Sequence, residues 1–183
     1  MLERRVLLTG TWAPLAHKLP NGDGAQTMIQ LSDGTIMAQG GFDSPSVNWY
    51  RLTPVQGSYV NGNWTALAPM HVGRLFYASV MLNTGKVLVL GGEVATDRSE
   101  TSSAEIYDPS GNSWSTNTAS FPEANFGDGM AETLSDGRVL AAAEGSSNCY
   151  IYDPFYNTWS AAIPSLNGDA FSEEGWVKLP GGT

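Results

Sequence analysis

The sequence predicts an all-β fold built from repeated units of four antiparallel strands, and three observations lead to this prediction. The composition is rich in turn-forming residues, with 21 Gly and 10 Pro among 183 residues, while only 15% of the residues are charged. A tryptophan marker and a hairpin marker then recur along the chain with the same period. Two markers that stay in phase indicate a repeat protein, because a β-sandwich does not repeat one motif in register.

The tryptophan marker closes each unit. Trp64, Trp114 and Trp159 each follow a turn that contains Gly or Asn, and Trp12 is an earlier copy of the same marker. Successive tryptophans are 52, 50 and 45 residues apart. We interpret each tryptophan as part of the fourth strand of its unit, strand d.

The hairpin marker separates the first two strands of each unit. Residues 31–37, 82–88 and 134–140 share a Leu, then a Gly three residues later, then a pair of apolar residues, and 179–183 begins a further copy. Asp-Gly between apolar runs predicts a two-residue hairpin with a type I′ turn, which needs positive φ at both central residues. The predicted strands a are 27–31, 77–82 and 176–179, and the predicted strands b are 35–39, 86–90 and 138–142.

The remaining features of a unit follow strand b. Residues 87–90 are a continuous apolar run, which is typical of a strand covered on both faces. Gly doublets at 40–41 and 91–92 end strand b, and Ala143-Glu144 replaces the doublet in the third unit. We assign Tyr50, Tyr107 and Tyr152 to strand c, 14, 7 and 7 residues before the tryptophan of the same unit. The first unit is therefore predicted to have a longer c-to-d hairpin.

This combination of a Gly hairpin, a Gly doublet, a Tyr and a Trp resembles the kelch repeat, and the resemblance covers residues 10–183. It is similar to bacterial kelch proteins related to the central domain of galactose oxidase. The resemblance implies a partial kelch-type β-propeller in one domain, because one kelch repeat forms one blade. We expect complete blades at about 24–68, 73–118 and 126–163, preceded by a strand d and followed by the strand a of a next blade over 170–183.

The number of predicted blades indicates that further blades of the same protein would be partners of this segment. A propeller closes only when every blade has two neighbours, and propellers have about four to eight blades. We therefore expect the chain to be a fragment of a longer protein, whose further blades would cover its open edges.

Charge and cysteine content restrict the function classes. The formal net charge of −9 disfavours nucleic acid and anionic membranes as partners, and no run of 18 apolar residues predicts a membrane span. Cys149 is the single cysteine, so an internal disulfide and a cysteine-type zinc site are excluded, and we expect a buried thiol. The residues do not specify a compartment; only the bacterial resemblance favours export.

The connections from strand d to the next strand a carry the candidate ligand-binding residues. In a propeller these connections gather with the b-to-c connections at one face, around the central channel. A pocket there would suit a cation, a sugar or a basic peptide, although Gly-Asp and Asn-Gly are also ordinary turn formers. Asp23 lies on the first such connection, and Glu93 and Glu144 at the ends of strand b could join the site. The candidates are His71, Arg74, Asp128, Asp169, Glu173 and Glu174.

The resemblance also raises the question of copper. Galactose oxidases hold copper with two Tyr and two His, and one of these tyrosines is linked to a Cys. Here Phe76 stands at the linked position, no Cys occurs near residues 25–27, and His17 and His71 lie in loops. We therefore predict no catalytic residue, metal or cofactor in this segment.

Two functional hypotheses follow. The leading one is a non-catalytic binding module that presents propeller loops to a glycan or protein ligand. The alternative is part of a galactose-oxidase-like carbohydrate-active enzyme, with its catalytic residues on blades outside this segment.

Overall fold

The computed structural model describes residues 12–20, 22, 24–41, 44–94, 99–172 and 174–179, which form three antiparallel four-stranded sheets. Within each sheet, strands that are consecutive in the sequence pair with each other, and the short strand Ile163–Pro164 adds to the third sheet by pairing with strand Asn148–Asp153. The predicted all-β partial propeller with three four-stranded blades is confirmed. The described residues include no helix long and apolar enough to cross a membrane. The strands are β1 (Ala25–Gln30), β2 (Ile36–Gly40), β3 (Trp49–Val55), β4 (Ser58–Ala66), β5 (Ala78–Met81), β6 (Val87–Leu90), β7 (Ala104–Asp108), β8 (Ser113–Ser115), β9 (Met130–Thr133), β10 (Val139–Ala142), β11 (Asn148–Asp153), β12 (Thr158–Trp159) and β13 (Ile163–Pro164).

The a-to-b hairpins use a different turn from the one predicted. In the first blade the amide of Gly34 donates to the carbonyl of Leu31 at 2.9 Å, and Gly34 has a φ of 82°. This is a type I turn followed by a left-handed glycine, so positive φ is needed at one residue rather than two. The type I′ prediction was wrong because the residue before the glycine need not be left-handed. In the second hairpin that residue is Thr84, which is β-branched and strongly disfavours positive φ.

Strand b of the second blade is buried from both sides. Val87, Leu88, Val89 and Leu90 are between 0% and 1% exposed. The two valines pack in a core cluster shared with the first blade, and the two leucines pack in a cluster shared with the third. The apolar run therefore arises because successive side chains of one strand point into two different interfaces between blades.

The register of strand c corrects one assignment in the first blade. Tyr107 pairs with Trp114 and Leu52 pairs with Trp64, so Leu52 is the counterpart of Tyr107. Tyr50 lies two residues earlier, at the position that Glu105 occupies in the second blade. The sequence suggested Tyr50 because it is the tyrosine nearest to the expected place, while the longer β3–β4 hairpin hides the true register.

A repeated hydrogen-bond clamp joins each blade to the one before it. The side-chain oxygen of Asn112 accepts from the Tyr107 hydroxyl at 2.8 Å and from the amide of Ala68 at 2.9 Å. The indole of Trp114 donates to the carbonyl of Ala68 at 2.9 Å. The second blade thus holds both the amide and the carbonyl of Ala68, which follows the last strand of the first blade.

The third blade holds the second in the same way. Asn157 accepts from the Tyr152 hydroxyl at 2.9 Å and from the amide of Ala119 at 2.7 Å, and the Trp159 indole donates to the carbonyl of Ala119 at 3.1 Å. The Tyr and Trp of the repeat therefore have a packing role, and the turn asparagine between them completes the clamp.

The two ends of the chain differ from the expected strands. The Trp64 indole donates to the carbonyl of His17 at 3.1 Å. His17 therefore takes the position that Ala68 and Ala119 have in the clamps of the second and third blades. However, Trp12 is exposed and lies in no strand, and Gly10 and Thr11 are outside the described residues. Residues 174–179 also form no strand, because no described segment pairs with them; the predicted hairpin at 180–183 lies outside the described residues.

The clamp predicts how Asn157 variants behave. Asn157→Ala removes the acceptor of two partly buried donors and places alanine at a φ of 54°, so we expect a loss of about 2 kcal/mol in the free energy of unfolding. Asn157→Asp keeps the accepting oxygen and loses only the 3.2 Å bond from the amide nitrogen to the carbonyl of Asn117. Urea unfolding measures both; equal losses would contradict the clamp.

Candidate functional site at the loop face

The b-to-c connection of each blade pairs with the segment that leads into the next blade. These backbone pairs bring the two kinds of connection to one end of the blades, which we call the loop face. The d-to-a segments therefore lie where the repeat pattern places them, over the b-to-c turns. The three pairs are Ser46 with Arg74, Gly92 with Phe126 and Gly145 with Phe171.

Glycines make room for a buried phenylalanine at this face. Phe126 is fully buried, and a Cβ on Gly91 or on Gly129 would lie 2.3 Å from its ring. Gly91 also has a φ of 72°, which other residues rarely adopt. Close packing thus requires glycine at both positions, and turn geometry requires it at Gly91 as well.

Two neighbouring residues are held in the left-handed region beside this packing. Phe76 has a φ of 52° and Asp128 a φ of 42°, and the Asp128 amide donates to the Phe76 carbonyl at 3.0 Å. A bulky residue with positive φ is an outlier that costs about 1–3 kcal/mol. Phe76 is nevertheless 40% exposed, so its side chain is not held there by complete burial.

Phe76 and Asp128 line an open depression of about 430 Å³ at the loop face, together with Tyr77, Gly129 and Glu174. Glu174 is exposed and Asp128 is partly buried. The Tyr77 hydroxyl donates to the side-chain oxygen of Gln39 at 2.7 Å, and burial raises the pKa of Tyr77 well above 10.0. The depression therefore combines an exposed aromatic ring, two carboxyl side chains and a tyrosine that stays neutral.

The other cluster of charged residues joins the exposed side chain of His71 to the buried side chains of Glu105 and Arg74. Glu105 is fully buried, and its carboxylate accepts from the amides of His71 and Val72 at 2.9 and 3.0 Å. The His71 ring nitrogen Nδ1 lies 2.8 Å from the same carboxylate, and the Arg74 guanidinium lies 3.4 Å from it. This network ties the connection between the first two blades to strand β7.

Arg74 is 0% exposed, which places it in the interior rather than at an open mouth. Its guanidinium donates to the carbonyl of Gly91 at 2.7 Å and to the carbonyl and hydroxyl of Ser103 at 3.0 and 2.9 Å. Burial lowers the pKa of Arg74, while the charge of Glu105 acts in the opposite direction. The geometry gives Arg74 a structural part in holding the b-to-c loop of the second blade.

The remaining candidates are dispersed. Asp169 is exposed, and its carbonyl accepts from the Ser165 hydroxyl at 2.8 Å, but it does not line the depression. Glu93 is buried and Glu144 is exposed. Asp23 and Glu173 lie outside the described residues.

Sequence reasoning missed Glu105, although a signal was present. Glu105 lies between Ala104 and Ile106 in a strand whose neighbours are apolar, and an acidic residue at such a position needs a partner. Sequence reasoning also missed Glu100, whose carboxylate accepts from the amide of Gly127 at 2.8 Å. Glu100 lies in a loop without a distinguishing pattern, so only the fold could reveal its contact.

Metal-binding side chains are not grouped in the described part of the chain, where no set of three or more His, Cys, Asp or Glu residues could hold an ion. Cys149 is partly rather than fully buried, and its thiol donates to the carbonyl of Ile163 at 3.4 Å. Burial raises the pKa of Cys149.

Comparisons with known proteins agree with this architecture. A family model described as Kelch motif matches residues 74–116, which include the strands of the second blade. The structure of YjhT aligns with a TM-score of 0.58 and 18% identity, covering 72% of this chain and 48% of that one. A fungal alcohol oxidase of the AA5 family, in complex with copper, aligns with a TM-score of 0.59 and 23% identity, covering 78% of this chain and 30% of that one.

The chain thus spans about half the length of the first structure and about a third of the second. No curated protein matches the sequence. At these identities the likeness concerns the fold, and the predicted resemblance to kelch propellers of the galactose oxidase type is confirmed at that level.

The buried carboxylate predicts a pH dependence of stability. Burial by itself raises the pKa of Glu105, but hydrogen bonds from His71 and Val72 and the charge of Arg74 together lower it below 4.5. A carboxyl group whose pKa is lowered on folding stabilises the fold above its unfolded pKa, and this stability is lost as pH falls towards the folded pKa. Glu105→Gln should therefore cost about 3 kcal/mol at pH 7, because Arg74 loses its buried counter-charge.

The cost of Glu105→Gln should shrink as pH falls below about 4.5 towards the lowered pKa of Glu105, because the wild-type carboxylate then becomes protonated. Chemical unfolding at several pH values measures the difference between the two proteins. Glu144→Gln is the matched control, since it removes an exposed carboxylate. A cost of Glu105→Gln that stays constant with pH would contradict this account.

Proposed function

We propose that this chain is a non-catalytic binding module whose loop face presents the depression around Phe76 and Asp128 to a glycan or protein ligand. The observation that carries the proposal is the pair of left-handed backbone conformations at these two residues, which line the depression together. Strained backbone conformations cluster at binding sites, where the surrounding structure holds them and thereby fixes the direction of a side chain.

The chemistry of the depression limits the ligand. The carboxyl groups of Asp128 and Glu174 accept hydrogen bonds, and the exposed ring of Phe76 offers an apolar face. A saccharide fits both features, because its hydroxyl groups donate and its C–H face packs on aromatic rings. A basic peptide also fits, because a Lys or Arg side chain pairs with carboxylates and lies over an aromatic ring, and the net charge of −9 attracts it.

The alternative of an enzyme fragment draws no separate support from these residues. The fungal alcohol oxidase shares the fold of this chain at 23% identity, and such a likeness does not transfer an activity. The binding module is therefore the function that the described geometry supports best.

Phe76→Gly tests whether the strained residue serves binding. Glycine adopts a φ of 52° without steric cost, so the free energy of unfolding should stay within about 1 kcal/mol of wild type or rise. Binding should weaken at least about tenfold, which corresponds to about 1.4 kcal/mol. Calorimetric titration with uncharged trisaccharides and with a lysine-rich peptide measures the two ligand classes separately.

Asp128→Asn tests the carboxylate at the same depression. Asparagine tolerates the left-handed region, so the backbone should keep its conformation while the ligand loses a charged acceptor. Asp169→Asn is the matched control, because Asp169 is exposed on a connection of the same kind but does not line the depression. The proposal is overturned if neither ligand class binds, or if Asp169→Asn weakens binding as much as Asp128→Asn.

A further inference from the structure

A pair of aromatic rings projects from the opposite end of the third blade, where the a-to-b and c-to-d turns lie; we call this end the hairpin face. Phe155 is 85% exposed and Tyr156 is 71% exposed, in the turn between β11 and β12. The two rings meet edge to face with centroids 4.9 Å apart and an interplanar angle of 89°. Two adjacent aromatic side chains with this exposure call for an explanation beyond packing.

The turn itself does not require these aromatic residues. The Asp153 carboxylate caps it by accepting from the amides of Phe155 and Tyr156 at 2.9 and 3.2 Å. The second blade builds the same turn from Asp108-Pro-Ser-Gly-Asn112, in which the Asp108 carboxylate accepts from the amide of Ser110 at 2.9 Å. Ser and Gly at the two central positions therefore satisfy the backbone equally well.

A groove of about 520 Å³ lies beside the aromatic pair, between the second and third blades. Its volume falls within the range of about 300–1,000 Å³ that is typical of small-ligand sites. Leu82 and Ile106 give it an apolar part, and Pro154 and Phe155 form one wall. The polar side chains that line it are uncharged amides and hydroxyls, apart from Lys86 and Asp136: Asn83, Thr84, Ser115, Asn117 and Thr118.

Several polar groups of the groove are unused by the protein. The hydroxyl of Thr118 is buried and has no hydrogen-bond partner. Among the hydrogen bonds of the described residues, none involves the side-chain amide of Asn83 or of Asn117. Because the Thr118 oxygen has almost no accessible surface, the exposed amides of Asn83 and Asn117 are the groups that a ligand in the groove can reach.

The charged side chains of the groove are compensated within the protein. Lys86 lies 2.9 Å from the carboxylate of Asp108, and Asp136 lies 2.7 Å from the guanidinium of Arg138. An anionic or cationic ligand would therefore compete with an existing ion pair. The groups that remain are amides and hydroxyls, which both donate and accept hydrogen bonds.

We infer that the hairpin face carries a second binding site, in which the groove and the ring of Phe155 bind an uncharged saccharide. The hydroxyl groups of a sugar both donate and accept hydrogen bonds, which matches the exposed amides of Asn83 and Asn117. The apolar face of a pyranose ring packs against an aromatic side chain, which is the role of Phe155, and the ring of Tyr156 contacts Phe155 edge to face. The site is separate from the loop-face depression and does not depend on it.

The double variant Phe155→Ser with Tyr156→Gly gives the third blade the turn sequence of the second, so the fold should be retained. Saturation-transfer NMR and calorimetry with cellotriose, xylotriose, maltotriose and tri-N-acetylchitotriose should detect at least one complex with a Kd between about 0.1 and 10 mM. The double variant should weaken that complex at least about tenfold. Its thermal unfolding curve, compared with wild type, reports whether the blade remains folded.

Asn117→Ala supplies a second readout that a structural role alone would not produce. The side chain of Asn117 is exposed and lines the groove, so its removal should change the free energy of unfolding by no more than about 0.5 kcal/mol. Saccharide affinity should fall severalfold, because the ligand loses its hydrogen bond to this amide.

Phe76→Gly separates the two sites, because it changes only the loop face and should leave saccharide binding at the hairpin face unchanged. Binding that survives the double variant but is lost in Phe76→Gly would place the saccharide at the loop face and overturn the inference. Failure of all four trisaccharides at about 10 mM would also overturn it. A third result would overturn the inference: an uncharged Ala- and Pro-rich peptide binds in calorimetry, the double variant abolishes that binding, and no saccharide binds.

Discussion

The contact between adjacent blades is the constraint on which the rest of this structure depends. A four-stranded sheet has two faces, and Val87 to Leu90 show how completely both must be covered, since all four side chains are buried although they alternate in direction. Hydrogen bonds from one blade to the next fix the distance between neighbouring blades. In the second and third blades, an Asn and a Trp bind the amide and the carbonyl of Ala68 and of Ala119, respectively. Because each clamp uses a side chain and a backbone segment from different blades, a blade cannot shift without leaving buried polar groups unpaired.

The loop face inherits its geometry from this stacking. Once neighbouring blades are fixed, each b-to-c turn lies under the segment that enters the next blade, and backbone pairs such as Gly92 with Phe126 form between them. Buried Phe126 and the buried Arg74–Glu105 pair then occupy the spaces between the loops. Phe76 has its left-handed conformation beside these packed loops, and its carbonyl accepts a hydrogen bond from the amide of Asp128.

The two ends of the blades carry different chemistry although one repeat builds both. At the loop face the described depression has carboxyl side chains and a single exposed phenyl ring. At the hairpin face the groove has uncharged amides and hydroxyls, ion pairs that are already closed, and two exposed aromatic rings. The repeat fixes the turn residues Asp153, Pro154 and Asn157 and leaves positions 155 and 156 free, so these two positions can vary without cost to the fold.

The sequence by itself determined the repeat, the four strands of each blade and the alternation of apolar residues, because these depend on local spacing and on the two-residue period of a strand. It also placed Asp128 on the connection between the second and third blades. Only the tertiary structure decided that Leu52 rather than Tyr50 matches Tyr107, because register depends on which strand pairs with which. Likewise, only the packing of one blade on the next decided that Arg74 is buried against Glu105 while Phe76 and Asp128 share a depression, since these contacts join residues from different blades and connections that no local pattern relates.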